Sequence, residues 1–292
     1  MRHELNFWVL GGDMRQGKLA QLLAEDGHRV HTYALEDGAV PAPGLTAEPG
    51  LSGVEQADCV VLPLPVSSGG RLLNAPLSRL SPPITEVLAP LSPGQMLCGG
   101  RVDPVTAALA AERGLTIRDY FAREELAVAN AVPTAEGAVQ LAMEHLPITV
   151  HGARTLVLGF GRIGRLLAYR LHGLGARVTA AARKPSDLAW IRAYGWRALA
   201  TEDLRGHLDR FGAVFNTVPA SILDRTLLAE LSKDCLCVEL ASVQGMDLDA
   251  AEELGLPHVW ARSLPGRLAP VSAAEAIRDT IVYILKERGD PM

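Results

Sequence analysis

The stretch RTLVLGFGRIGRLLAYRLHGLGARVTAAARK, residues 154–184, decides the fold of this chain. It opens with an apolar run, Leu156 to Leu158, which is typical of a buried parallel strand. A G-x-G-x-x-G pattern, an amphipathic helix and a second apolar strand follow in that order. This order predicts a β-α-β unit that binds a dinucleotide, because the N-terminus of the helix offers unpaired N–H groups to phosphates.

Each glycine of the pattern has a physical task in such a unit. The first allows a tight turn, the second lets the backbone approach a pyrophosphate, and the third lets helix and strand pack closely. The whole pattern supplies candidate cofactor contacts, namely Gly159, Phe160, Gly161, Arg162, Ile163 and Gly164. The ends of two later strands add Thr217, Val218, Pro219 and Ser242.

The residues after the second strand indicate which nucleotide is bound. An NAD site usually carries Asp or Glu about 20 residues after the pattern, to accept the ribose hydroxyls. Here the chain has Arg183 and Lys184, two cations suited to a 2′-phosphate. We therefore predict that the cofactor is NADP, with NAD as the alternative. In a further interpretation, Arg183 and Lys184 are only solvated loop residues without a role in binding.

Size and composition bound the class of protein. At 292 residues, with 48% hydrophobic and 21% charged residues, the chain is long enough for two cores. A net charge of -5 argues against nonspecific nucleic-acid binding, and no apolar run approaches the ~18 residues of a membrane span. Without an apolar signal core, we expect a cytoplasmic protein. Cys235 and Cys237 share a strand face and are expected to be core residues, with no metal site.

The repeating pattern of strands and helices predicts two α/β domains with a cleft between them. Residues 1–125 are expected to form a flavodoxin-like parallel sheet, residues 126–150 a linking helix, and residues 151–270 a Rossmann NAD(P)-binding domain. A last helix within 271–288 is expected to return to the first domain.

Three local expectations accompany this layout. Thr134 is expected to cap a helix that starts just after Pro133. A helix is expected over residues 203–211, and a short strand from Leu115 to Ile117.

The substrate site is expected at the end of the first strand and beside the linking helix. Asp13 and Arg15 lie in the turn after that strand, where open α/β sheets bind ligands, and an arginine there can hold a carboxylate by two hydrogen bonds. Asp13, Arg15 and Glu136 are the catalytic candidates. Arg15, Gln16, Ser67, Asn130, Thr134 and Gly266 are the substrate-binding candidates. Alternatively, Asp13 and Arg15 form a helix-capping surface pair and Glu136 serves a helix end.

Five segments carry a resemblance that extends over almost the whole chain. They are residues 11–16, GGDMRQ; 124–164, EELAVANAVPTAEGAVQLAMEHLPITVHGARTLVLGFGRIG; 214–220, VFNTVPA; 264–270, LPGRLAP; and 238–255, VELASVQGMDLDAAEELG. In these segments the chain resembles the A subunits of dipicolinate synthase, an enzyme of sporulation. Val243 and Gln244 depart from the basic residue and proline expected there.

The resemblance implies oxidation of a dihydrodipicolinate ring by NADP to pyridine-2,6-dicarboxylate. It also implies that the partner is a flavoprotein-like B subunit, and we expect a homo-oligomer. A dicarboxylate needs two anion sites, for which Arg15 and then Arg101 or Arg123 are candidates. Two other readings stay open: a 2-hydroxyacid or alanine dehydrogenase of the same layout, and a non-catalytic nucleotide-binding regulatory subunit.

Overall fold

The computed structural model describes residues 4–38 and 42–289. The chain forms two compact units, one from residues up to Asn130 and from Pro265 onward, the other from Ala131 to Leu264. Each unit contains a six-stranded parallel sheet, which confirms the predicted α/β class with two parallel sheets.

The strands and helices are numbered along the chain. The strands are β1 (Asn6–Leu10), β2 (Arg29–Tyr33), β3 (Leu45–Ala47), β4 (Cys59–Val61), β5 (Ser67–Ser68), β6 (Leu72–Leu73), β7 (Met96–Gly99), β8 (Ile117–Asp119), β9 (Arg154–Leu158), β10 (Arg177–Ala182), β11 (Arg197–Ala200), β12 (Ala213–Asn216), β13 (Leu236–Glu239) and β14 (His258–Trp260). The helices are α1 (Met14–Glu25), α2 (Ile84–Leu88), α3 (Pro104–Ala111), α4 (Glu124–His145), α5 (Arg162–Gly173), α6 (Pro185–Ala193), α7 (Arg225–Leu228), α8 (Leu248–Glu253), α9 (Leu264–Leu268) and α10 (Pro270–Arg288).

The sheet of the first unit has the order β3-β2-β1-β4-β7-β8. The five strands other than the short edge strand β3 can be counted 1 to 5 along the chain. Their order in the sheet is then 2-1-3-4-5, as in flavodoxin-like sheets. Side chains alternate between two cores, with Phe7 and Val9 on one face of the sheet and Trp8 and Leu10 on the other. Helix α10 packs against α1 on the first of these faces, where its buried residues include Ile277, Ile281 and Leu285.

The sheet of the second unit has the order β11-β10-β9-β12-β13-β14. This is the 3-2-1-4-5-6 order of a Rossmann sheet, and the strand order reverses between β9 and β12. Ligands of open α/β sheets bind at the carboxyl ends of the strands beside such a reversal. Cys235 and Cys237 are buried on one face of this sheet, so the prediction that they are core residues is confirmed.

The helix predicted over residues 203–211 is wrong. The chain instead has a 3-10 turn at Thr201–Asp203 and then turns until β12. Leu204, Leu208 and Phe211 are buried in the core at helix-like spacing, which produced the misleading pattern. Gly206 has a φ of +75°, and this left-handed conformation is incompatible with a continuous helix.

The helix expected to start after Pro133 is also placed wrongly, because α4 runs without interruption from Glu124 to His145. Thr134 therefore lies inside the helix rather than at its N-cap. A proline inside a helix removes one hydrogen bond. Buried residues on both sides of it, among them Leu126, Ala135 and Ala138, favour the continuous helix.

A smaller difference concerns element ends. The strand expected at Leu115–Ile117 is β8, two residues further along. In the part of the chain that the structure describes, no helix combines the length and apolarity needed to cross a membrane.

Candidate functional site

The glycine turn connects β9 to α5 in the second unit. Gly159 has a φ of +94°, and a Cβ atom there would lie 2.5 Å from Thr217 Oγ1. A Cβ atom on Gly164 would lie 2.1 Å from the Gly159 carbonyl oxygen, so helix and turn touch there. By contrast, a Cβ atom on Gly161 would have no described heavy atom within 4 Å. The chain therefore leaves open space at the glycine where a pyrophosphate would approach the helix N-terminus.

The remaining residues of the turn present different surfaces. Phe160 is buried against Trp196 and Tyr194, so its side chain belongs to the core and its backbone belongs to the turn. Ile163 packs partly against the same core, while Arg162 is exposed at the first position of α5. Phe160 is thus suited to contact a cofactor only through its backbone.

Arg183 and Lys184 follow directly after β10 and are exposed. Among the described residues, no carboxylate lies within ion-pair distance of either one. The nearby carboxylate of Asp187 accepts instead from Arg165 Nη2, at 3.1 Å. Two unneutralised cations therefore remain at the strand end that faces the adenosine side in nucleotide-binding sheets.

The loops after β12 and β13 contain the other cofactor candidates. Thr217 Oγ1 donates to the Leu158 carbonyl at 2.8 Å, which fixes this loop against β9. Val218 lies against Gly159, so Thr217 and Val218 are brought to the glycine turn. Pro219 and Ser242 are exposed on the two loops.

A buried carboxylate that sequence reasoning missed holds both loops. Glu239 has no exposed surface, and its oxygens accept from Asn216 Nδ2 and from the backbone N–H groups of Ala241, Gly245 and Met246 at 2.8–3.0 Å. Asn216 in turn exchanges hydrogen bonds with the backbone of Val218, at 3.0 Å each. The two side chains therefore position the loops that follow β12 and β13. An acidic residue inside the apolar run LCVEL was the available signal.

Replacing Glu239 by Gln should loosen these loops. The amide nitrogen of Gln would face N–H donors, so buried donors would lose their acceptor, at a cost of about 1–3 kcal/mol in the free energy of unfolding. Urea unfolding measures this loss, and Glu252→Gln on the exposed side of α8 is the matched control. Unfolding of Glu239→Gln at the wild-type urea concentration would contradict this role.

In the first unit, Asp13 and Arg15 form a tight pair at the end of β1. Arg15 Nε and Nη2 donate to the Asp13 carboxylate at 2.9 and 2.8 Å, and Asp13 also caps α1 by accepting from the Arg15 N–H at 3.0 Å. Arg15 Nη2 donates further to the Leu64 carbonyl at 3.0 Å. The Arg15 side chain is 12% exposed and that of Asp13 is 34% exposed. The capping pair considered from the sequence is thus present, in a partly buried position.

Gly266 lies against this pair. A Cβ atom on Gly266 would be 3.0 Å from Arg15 Nε and 3.3 Å from Asp13 Oδ2. Gln16 is 1% exposed, and its Nε2 donates to the Leu62 carbonyl, which also accepts from the Tyr120 hydroxyl at 3.0 Å. Burial raises the pKa of Tyr120, so this donor stays protonated. Asp13, Arg15 and Gly266 therefore lie next to one another. Gln16 is buried, and its hydrogen bond stabilises the turn that carries them.

Ser67 is already engaged by its own unit. Its hydroxyl donates to Asp103 Oδ2 at 2.6 Å and accepts from the Gly70 N–H at 3.1 Å. Burial alone would raise the pKa of Asp103, but the hydrogen bonds from Ser67 and Thr106 outweigh it and lower the pKa. Ser67 thus stabilises an ionised helix cap.

The three candidates on the linking helix, Asn130, Thr134 and Glu136, all lie on α4. Asn130 and Thr134 lie one helical turn apart. Glu136 pairs with Arg170 Nη2 at 3.1 Å, and Arg170 is eight residues into α5, about 12 Å along the helix from its first residue. The structure thus gives Glu136 an ion-pair partner far from the glycine turn.

The two candidates for a second anion site, Arg101 and Arg123, have different surroundings. Arg123 binds Glu287 and Glu125, and hydrogen bonds with these carboxylates raise its pKa. Arg101 is exposed, with a left-handed φ of +53°, and its backbone N–H donates to Asp119. Arg123 is thus held in ion pairs with Glu125 and Glu287.

Family models match the two halves of the chain. Residues 6–121 match the N-terminal domain of dipicolinate synthase A subunits, and residues 122–247 match the NAD-binding domain of D-isomer specific 2-hydroxyacid dehydrogenases. The second half is therefore a dehydrogenase-type domain for a nicotinamide cofactor, in agreement with the glycine turn.

Comparisons over the whole length agree with these matches. The chain is 29% identical to the dipicolinate synthase A subunit of Bacillus subtilis, over 97% of this chain and 96% of the relative. The crystal structure of the same Bacillus subtilis protein has a TM-score of 0.88 at 27% identity, covering 98% of this chain and 97% of that one. The A subunit from Bacillus halodurans gives 0.89 at 25% identity, covering 98% and 99%. Over almost its whole length, the chain is therefore similar in sequence and fold to dipicolinate synthase A subunits.

Proposed function

We propose that this chain oxidises dihydrodipicolinate to dipicolinate with NADP. The observation that carries the proposal is the open glycine turn followed by two unneutralised cations, in a chain that resembles dipicolinate synthase A subunits throughout. A side chain at Gly161 would fill the space that the turn leaves open, so the residues present fit a dinucleotide.

The second unit supplies the cofactor site in this proposal. The N–H groups at the start of α5 bind the pyrophosphate, and Arg183 and Lys184 bind the 2′-phosphate. Thr217, Val218 and Ser242 lie on the loops that Asn216 and Glu239 hold in place. When bound, NADP accepts a hydride from the substrate ring.

The first unit supplies the substrate site. Arg15 binds one substrate carboxylate. To do so, its guanidinium group gives up its hydrogen bonds to Asp13 and donates to the substrate instead. Asp13, once released, is the group that we propose to accept the ring proton. Loss of one hydride and one proton converts the dihydropyridine ring to the aromatic pyridine and balances the reaction. Gly266 keeps the space beside Arg15 and Asp13 free of a side chain.

The activity is tested by supplying the purified chain with freshly formed dihydrodipicolinate and NADP, and following NADPH absorbance. We expect NADPH and dipicolinate in equal amounts. Reduction of simple 2-oxo acids by NADPH, with no response to dihydrodipicolinate, would favour a 2-hydroxyacid dehydrogenase. Nucleotide binding without turnover, even when a B subunit is present, would favour a regulatory chain.

The choice of NADP rests on Arg183 and Lys184. Replacing both by Ala should weaken NADP binding by about 10–100-fold, since hydrogen bonds to charged groups contribute roughly 1.5–3 kcal/mol. NAD lacks the 2′-phosphate, so its affinity should stay within about twofold, and calorimetric titration with both nucleotides measures the difference. Arg192→Ala, at the other end of α6, is the control. Equal losses for both nucleotides would refute phosphate recognition by this pair.

The relatives are named as the A subunit or A chain of dipicolinate synthase, which implies at least one other subunit in that enzyme. We propose that this chain likewise works with a flavoprotein-like B subunit. Co-expression of the two chains and size-exclusion chromatography test the pairing, and the same experiment on this chain alone tests the expected homo-oligomer. Elution of two separate species at micromolar concentration would count against a stable complex.

A further inference from the structure

A pocket lined by arginines lies at the amino-terminal edge of the second sheet. Arg154, Arg177 and Arg197 are the first residues of the neighbouring strands β9, β10 and β11. Together with Arg210, which precedes β12, they line a cavity of about 450 Å³. His172 and Trp196 form part of its wall.

The strand register brings these cations together. Arg177 is the direct partner of Arg154 in the parallel pair of β9 and β10, and Arg197 pairs with Thr179 of β10. Like charges opposite each other on adjacent strands destabilise a sheet. Arg154 and Arg177 are such a pair, and Arg197 adds a third cation on the next strand.

The positive charge of this pocket is not neutralised by the described part of the protein. Arg154, Arg177 and Arg197 have no ion pair there, although the chain as a whole carries a net charge of -5. Within the same ranges, Arg210 pairs only with its neighbour Asp209, at 3.8 Å, and that carboxylate is 79% exposed. Arg210 Nε is buried without a hydrogen-bond partner among the described residues. A donor of this kind is open to an acceptor from outside the chain, either a water molecule or a bound anion.

The pocket is separate from the proposed nucleotide site. The glycine turn follows the carboxyl end of β9, whereas Arg154 begins the same strand. Five residues of parallel strand span about 16 Å, so one small ligand cannot fill both sites. An anion bound here is therefore a second ligand.

The chemistry of the lining defines the ligand class. Guanidinium groups bind phosphate by paired hydrogen bonds and are less strongly hydrated than ammonium groups. A cavity of about 450 Å³ lies within the range of small-molecule sites. We propose that this pocket binds a small polyphosphate anion, with at least two phosphate groups shared among the four arginines. An inorganic polyphosphate and the phosphate chain of a nucleotide present the same chemistry.

The test is a calorimetric titration of the full chain with tripolyphosphate, ATP and orthophosphate. We expect saturable one-to-one binding of tripolyphosphate, and an affinity for orthophosphate at least about tenfold lower, since fewer charged hydrogen bonds form. Tight binding of ATP as well would assign the site to a nucleotide's phosphates, and its absence would assign it to inorganic anions. Equal affinity for orthophosphate and tripolyphosphate would overturn the proposal, because it would show general charge attraction only.

Two variants separate this site from the glycine turn. Arg177→Ala combined with Arg197→Ala should weaken tripolyphosphate binding at least about tenfold, whereas Gly161→Asp should leave it unchanged. Arg192→Ala, on the exposed surface of α6, is the matched charge control. Loss of binding in Gly161→Asp alone would place the anion on the glycine turn and overturn the proposal.

Thermal unfolding gives a second readout that does not depend on nucleotide binding. Removal of like charges should leave the melting temperature of the double arginine variant at or above that of the wild type, so the variant remains folded. Tripolyphosphate should raise the melting temperature of the wild type and not that of the variant. An equal rise in both proteins would contradict binding in this pocket.

Discussion

Gly161→Asp is expected to lower the affinity for NADPH by on the order of 100-fold or more, the largest effect of any single substitution in the second unit. Gly161 is the N-cap of α5, and its missing side chain leaves open space where the pyrophosphate is proposed to bind. The new carboxylate would occupy that space, repel the phosphates and compete for the same N–H groups. Trp196 packs against Phe160 of the turn, so tryptophan-sensitised NADPH emission measures binding.

The variant should fold normally, because the added atoms meet no described atom within 4 Å at Cβ and Asp is a favourable N-cap residue. Gly173→Asp, at the other end of α5, adds the same charge in similarly open space and should leave NADPH binding unchanged. If Gly161→Asp binds NADPH as the wild type does, the nucleotide does not lie on this turn.

Arg15→Ala is expected to lower kcat/KM for dihydrodipicolinate by about 100-fold, because a bidentate bond between a guanidinium and a carboxylate is lost. Arg15→Lys keeps the charge without the paired donors and should recover only part of the loss. The affinity for NADP should be unchanged in both variants, since the proposed nucleotide contacts all lie in the other unit. Steady-state kinetics with varied substrate and a separate nucleotide titration give the two quantities.

Arg29→Ala is the control for Arg15→Ala, because Arg29 lies in the same unit, at the start of β2, and makes an exposed ion pair with Glu4 at 3.4 Å. It should not change kcat/KM, since exposed ion pairs contribute little. A wild-type kcat/KM in Arg15→Ala would remove Arg15 from the substrate site and leave it the structural partner of Asp13.

Much of the second unit could be predicted from sequence because its signals are local. The three glycines near residue 160 encode the turn, and apolar runs encode the buried parallel strands around it. The error at residues 203–211 has a physical cause, since Leu204 and Leu208 have helical spacing and only Gly206 shows that the chain turns. At Pro133 the error is the reverse, since a helix boundary was predicted where the helix is continuous. Tertiary packing stabilises the helix there, although a proline would by itself interrupt it.

The candidate sites were less accessible to prediction because they depend on distant residues. Asp13 and Arg15 are two residues apart, so a pair was foreseeable, but the fit of Gly266 beside them requires the chain to return to the first unit. The hydrogen bond between Asn216 and Glu239 joins the neighbouring strands β12 and β13. The alignment of these two strands was not predicted from the sequence. Likewise, the cluster of Arg154, Arg177 and Arg197 appears only when the strands are aligned.

The most direct test of the central claim is a crystal structure of the intact chain with NADP and dipicolinate. We predict the pyrophosphate within hydrogen-bonding distance of the N–H groups that begin α5, and the 2′-phosphate beside Arg183 and Lys184. Density that placed the nucleotide elsewhere, with the space at Gly161 taken by the chain itself, would contradict the account.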